Sequence, residues 1–102
     1  MKQIHSYAVY ILKCADSSYY TGMTNNVERR MREHIDGTVA ECYTFSRRPL
    51  GLVFVEYYQF VHDAIGREKQ IKGWSRKKKE ALIMGDIDEL KRLAKNRVGC
   101  SD

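Results

Sequence analysis

The 102-residue chain has one proline, Pro49, and no tract rich in glycine, serine and proline. Nothing in it reads as a linker, so residues 1–102 are expected to form one domain with a single modest core. No apolar run approaches the ~18 residues that cross a bilayer. The first residues, "MKQIHSYAVYILKC", lack a signal-peptide cleavage pattern, so a cytoplasmic protein without a membrane segment is expected. Cysteine is scarce. Cys14, Cys42 and Cys100 are odd in number, widely spaced and without a Cys-x-x-Cys pair. That speaks against a disulfide framework and against a zinc site, and predicts reduced, mostly buried thiols. Acidic residues are the minority charge: 13 Asp and Glu stand against 18 Lys and Arg, a net charge of +5. A polyanion such as nucleic acid is a partner this charge permits. A small domain can also be mildly basic for no special reason.

What is present reads as alternating short elements. "YAVYILKC" and "SYYTGMT" are β-branched and aromatic runs joined by "ADS", a hairpin pattern. Both faces of the first run are apolar, which predicts a central strand covered on two sides. Asn25, with Glu28 three residues on, makes a capping box for a helix whose inward stripe is Val27, Met31 and Ile35. Asp36 and Gly37 end it. Residues 38–50 have weak periodicity and read as a short helix or loop. "GLVFVEYY" is a third strand and "HDAIGREKQIKGW" a second helix. Ser75 caps "RKKKEALIMG", and Asp86 with Glu89 opens "IDELKRLAKNRVG", which closes at Gly99. The order predicts an α+β fold: a three-stranded antiparallel sheet flanked by helices, with a core over about 6–84 and a C-terminal helix over about 86–98.

Some residues fit this scaffold poorly. With a three-residue hairpin loop, Ala15 to Ser17, Tyr10 pairs with Gly22 and Tyr20 lies diagonally on the same face. Two phenols then converge beside a residue with no side chain; a two-residue loop separates them, and strand tyrosines are usually packing residues. Arg30 and His34 are four apart on one helix edge, bordering the apolar stripe. Either can be an ordinary surface residue. Glu68 falls seven after Val61 and three before Ile71, on the apolar face of the second helix. A carboxylate there needs a partner: a salt bridge, for example to Arg30, or a hard cation. Lys69, Lys72, Arg76, Lys77, Lys78 and Lys79 make a dense basic run, to which Arg47 and Arg48 add charge. Such a run is a solvated face or a phosphate-contacting one.

Taken together, "AVY" (8–10), "YTG" (20–22), "VERRMREH" (27–34) and "GREKQIKGW" (66–74) resemble the ordered motifs of the GIY-YIG nuclease superfamily, most closely its small stand-alone bacterial members. The resemblance spans about residues 6–84. It implies a Mg²⁺- or Mn²⁺-dependent endonuclease that hydrolyses DNA phosphodiesters. By that resemblance Tyr10, Tyr20, Arg30, His34 and Glu68 are catalytic, Glu68 holds the metal ion, and Gly22 is structural at the site. Arg47, Arg48, Lys69, Lys72, Arg76, Lys77 and Lys78 are then the expected DNA contacts. Ala8 departs from the motif's glycine, and Gly66 replaces a larger residue and weakens its helix by ~1 kcal/mol relative to alanine. With no appended reader domain, recognition of branched or single-stranded DNA is expected rather than of base sequence, with a protein partner available to select substrates. A role in repair or recombination follows from such substrates. The alternative is a nucleic-acid-binding or repair-accessory module with little nuclease activity of its own.

Overall fold

A computed structural model describes residues 6–36 and 47–96. The segment expected as a short helix or loop lies largely outside them, as do Cys42, Cys100 and Gly99. Strand β1 (Tyr7–Lys13) and strand β2 (Tyr19–Thr24) form the hairpin, helix α1 (Val27–Asp36) follows, then strand β3 (Gly51–Tyr58) and helix α2 (Val61–Lys72). Helices α3 (Arg76–Met84) and α4 (Ile87–Asn96) complete the order. The sheet is antiparallel throughout, in the order β2-β1-β3. The α+β architecture of three antiparallel strands with helices is therefore the one the sequence predicts.

β1 is central because it has no polar face. Ala8, Val9, Tyr10, Ile11 and Leu12 are all buried, so side chains pointing to either side of the sheet are covered. The hairpin loop has the three-residue form. Ser17 N–H donates to the Cys14 carbonyl, Cys14 N–H donates to the Ser18 carbonyl, and Ser17 takes a left-handed conformation at φ 69°. Asp16 fixes the turn by accepting from the Ser18 backbone. These hydrogen bonds hold its carboxyl below the ordinary range, the Ser18 hydroxyl being the largest cause. The loop length sets the register Tyr10↔Gly22 and Leu12↔Tyr20.

The chain forms two compact units, residues 1–72 and 73–102. In the first, α2 packs against all three strands through the fully buried Ala64 and Ile71. Arg67 of α2 bonds Glu56, which also accepts from the Tyr58 hydroxyl at 2.6 Å. Burial, and then Glu56, push the Tyr58 phenol up to about 12. In the second unit, Ser75 Oγ accepts from Lys78 N–H at the start of α3. Gly85 ends that helix in the left-handed region, φ 72°, with its N–H on the Ala81 and Leu82 carbonyls. Asp86 Oδ1 accepts from Glu89 N–H and caps α4 as its sequence predicts. Cys14 is buried and forms no disulfide among the described residues.

Candidate active site

The three-residue loop brings two phenols together. Tyr10 and Tyr20 lie on one face of the hairpin with ring centroids 6.3 Å apart. Gly22 is what lets Tyr10 lie there: a Cβ at Gly22 would stand 2.5 Å from the Tyr10 hydroxyl oxygen and 2.6 Å from Cζ. The expected gap beside the glycine is thus filled by the Tyr10 phenol itself.

α1 supplies the third ring, through a helix rotated from the expected setting. The cap is Asn26, not Asn25: Asn26 Oδ1 accepts from Arg29 N–H and the Asn26 carbonyl from Arg30 N–H. Thr24 Oγ1 accepts from Asn26 N–H and holds the entry to the helix. The inward stripe is Val27, Arg30, Met31 and His34, at helical spacing. His34 is 0 % exposed, whereas Ile35, expected inside, is 55 % exposed. The polar contact that His34 makes decides the rotation. Its Nε2 is 3.0 Å from the Tyr10 hydroxyl, and its ring centroid is 5.4 Å from that of Tyr20. Burial holds the imidazole below its ordinary range, and the nearby Arg30 adds to this. In the tautomer that carries its proton on Nδ1, a neutral imidazole accepts at Nε2 from the Tyr10 hydroxyl.

The three rings differ in access. Tyr10 is 1 % exposed and His34 fully covered, while Tyr20 is half-buried. Tyr20 is the ring that a solute meets. Arg30 is half-exposed along its side chain, but its Nε is buried without a hydrogen-bond acceptor. Its carboxylate neighbour is Glu33, at 3.4 Å from Nε. Glu33 escaped the sequence reading, although its i,i+3 spacing from Arg30 is a signal for such a pair.

Among the described residues no hydrogen bond or ion pair joins Glu68 to this group. Its partner is Lys72, one turn on in α2, at 3.0 Å, which corrects the salt bridge to Arg30 offered above. Nor is the carboxylate deeply buried: its side chain is 20 % exposed, because Ala64 and Ile71 take the inward positions and Glu68 lies at their margin. Among the described residues no group of three His, Cys, Asp or Glu side chains is arranged to cage a metal. One carboxylate suits only an ion that keeps its waters and takes its other ligands from a substrate phosphate, which is how Mg²⁺ is usually held.

The basic residues fall into different situations. Lys69 and Lys72 are exposed on α2, and Arg76 and Lys77 on α3. Arg48 is exposed and donates to the Ile35 carbonyl. Arg47 is tied to Asp16 at 3.0 Å, and its carbonyl accepts from Ala15 N–H. Lys78 is buried, with Nζ 4.7 Å from the Trp74 ring centroid, so its charge rests on an aromatic face. It is withdrawn from the set that can touch a phosphate.

The GIY-YIG catalytic domain matches residues 6–81. The chain belongs to the GIY-YIG family. Similar proteins include a UPF0213 protein of Syntrophus aciditrophicus, 47 % identical over 74 % of this chain and 86 % of its own length. One from Natronomonas pharaonis is 49 % identical over 74 % of this chain and 87 % of its own. The solution NMR structure of a UPF0213 protein from Bacillus halodurans aligns with TM-score 0.52 at 39 % identity, covering 78 % of this chain and 83 % of that one. An E. faecalis protein solved the same way aligns at 0.58 and 32 % identity, over 83 % and 90 %. GIY-YIG domains form an endonuclease superfamily. No helix among the described residues is long and apolar enough to cross a membrane.

Proposed function

We propose that the chain is a structure-directed DNA endonuclease that hydrolyses phosphodiester bonds with Mg²⁺ or Mn²⁺, acting in the cytoplasm in repair or recombination. The observation that carries this reading is the 3.0 Å contact between the Tyr10 hydroxyl and Nε2 of the buried His34, beside Tyr20. It is a proton-accepting pair standing behind a solvent-facing phenol, on the scaffold of a nuclease family.

Each residue has a task that its chemistry fits. In the reaction a water oxygen attacks phosphorus, the bond to the leaving oxygen breaks, and the attacking water gives up a proton. Tyr10 accepts that proton as its own hydroxyl proton passes to His34 Nε2, which a depressed pKa keeps free to receive it. Tyr20 orients the water or the phosphate. Arg30 offers its guanidinium to a non-bridging oxygen, and a phosphate satisfies the buried Nε that now lacks an acceptor. Glu68 would hold the divalent ion, with Lys72 yielding it, and the ion would act as a Lewis acid on the phosphate and leaving oxygen. Lys69, Lys72, Arg76, Lys77 and Arg48 would meet neighbouring phosphates, with Arg47 available once released from Asp16.

The test is cleavage of single-stranded, duplex, flapped and branched DNA with and without Mg²⁺. Wild type should nick at least one unpaired substrate in a metal-dependent manner. Glu68→Ala and Arg30→Ala should each lower the rate at least about 100-fold while still folding, in the range of losing a main electrostatic contact. Wild-type rates in either variant reject the mechanism.

One observation favours a second reading, an accessory module with a latent site. Tyr10 and His34 are both sealed from solvent, and Glu68 is engaged by Lys72. A site closed in this way needs a substrate or a protein partner to open it. Salt-sensitive binding of branched DNA with no cleavage under any metal condition would select this reading.

A further inference from the structure

Tyr57 is a large aromatic side chain left in solvent. It is 62 % exposed on β3 and makes no hydrogen bond, ion pair or ring contact among the described residues. It lines a cavity of about 280 Å³ together with Ala8, Thr24, Asn25, Asn26 and Glu28. The register pairs Ala8 with both Thr24 and Tyr57, and two residues along pairs Tyr10 with Gly22 and Val55. Residues two apart share a face, so the cavity opens on the side of the sheet that carries Tyr10, ~7 Å along the strand from it. That spacing is within the span of one nucleotide.

The cavity lies just below the ~300–1,000 Å³ of drug-sized sites, so it has room for one planar ring system. Its chemistry is that of a base edge. Tyr57 offers a face for stacking. Asn26 Oδ1 is spent on the cap, but its amide nitrogen remains a donor, as does that of Asn25. Glu28 sets a carboxylate at the rim, which repels a phosphate and accepts from an exocyclic amino group. Ala8, the methyl-bearing residue where the family motif has glycine, is small enough to leave this space open above β1.

We propose that this cavity receives an unpaired, amino-bearing nucleobase, from a nucleotide adjoining the phosphate at the Tyr10–Tyr20–His34 cluster. A base held in a duplex has its amino group paired and its faces stacked, so the preferred substrate carries an unpaired nucleotide beside the cut, as a flap, gap or single strand does. The inference rests on reading the cluster as a phosphodiester site, and it adds a substrate class to that reading.

Free nucleosides test it without any cleavage. NMR titrations of the whole protein without metal compare cytidine with uridine, which differ along one base edge: an amino group against a carbonyl at position 4, and an acceptor against an N–H donor at N3. Cytidine should shift the amide signals of Ala8, residues 24–28 and Tyr57, and should bind at least about five-fold more tightly than uridine. Tyr57→Ala should weaken cytidine roughly five-fold or more, the lower end for losing a base–aromatic stack, and Tyr57→Phe should retain it. Glu28→Gln should narrow the preference for cytidine over uridine. Absence of shifts at millimolar cytidine, equal binding of the two nucleosides, or shifts at these positions with inorganic phosphate alone each overturn the proposal. A protein that cuts DNA but ignores cytidine loses this inference and keeps the nuclease reading. One that binds cytidine here yet never cuts does the reverse.

Discussion

Gly22 is a residue whose side chain would collide with the site it adjoins. A Cβ there would meet the Tyr10 phenol at 2.5 Å, and the phenol cannot retreat without breaking its bond to His34. Gly22→Ala should therefore cost about 1–3 kcal/mol, the usual range for overpacking, and abolish cleavage. Thermal unfolding and the nicking assay read the two effects. His34 makes a second prediction at this scale. Burial holds its folded pKa below the ordinary 6.5. The unfolded chain then takes up a proton near pH 6.5 while the folded imidazole refuses it, so stability is complete above that pH and falls as pH drops below it. Urea unfolding at a series of pH values should show this decline, and His34→Gln should flatten it. Arg30 is a third case. Its buried Nε has no acceptor, and an unsatisfied donor costs about 1–3 kcal/mol. Arg30→Met keeps the aliphatic stem, so it should match or exceed wild type in stability while losing activity. A marked loss of stability in that variant would show that the arginine is structural.

At the scale of elements, the hairpin was legible with its loop length left between two choices, and the helix rotation was not. "ADS" has the length and composition of a three-residue turn, and Ser17 takes the left-handed conformation such a turn requires, so the Tyr10↔Gly22 register follows from local chemistry. α1 turned otherwise because two adjacent asparagines compete for one cap. Asn26 wins through its backbone N–H bond to Thr24 Oγ1, a local i,i+2 contact that the reading of a capping box at Asn25 passed over. Moving the cap by one residue does not by itself choose the buried face; the His34–Tyr10 bond does, and it puts Ile35 outside. Asn26→Ala should destabilise the protein by about 0.5–2 kcal/mol, and Asn25→Ala by much less. Chemical denaturation of the two variants side by side checks the assignment. Glu68 pairs with Lys72 rather than with Arg30 for a related reason. Helical spacing marks a sector, not a depth, and the two fully buried residues Ala64 and Ile71 leave Glu68 at the margin of that sector within reach of Lys72.

For the whole molecule, the antiparallel sheet could be read from the sequence because β1 has no polar face and the strands have short, distinct patterns. The site could be read only in parts. Rings from β1, β2 and α1 meet in one cluster, but among the described residues no hydrogen bond or ion pair joins the carboxylate on α2 to them, and spacing along the chain carries no information on that pairing. The account depends on Glu68 and the rings serving one phosphate. Mn²⁺ tests this directly, since a paramagnetic ion broadens NMR signals of nuclei close to it. Titrated into the protein with a short single-stranded DNA, Mn²⁺ should broaden the ring signals of His34 and Tyr20 together with the amides around Glu68, and Glu68→Ala should abolish both. Broadening confined to α2, with the ring signals unchanged, would contradict the account.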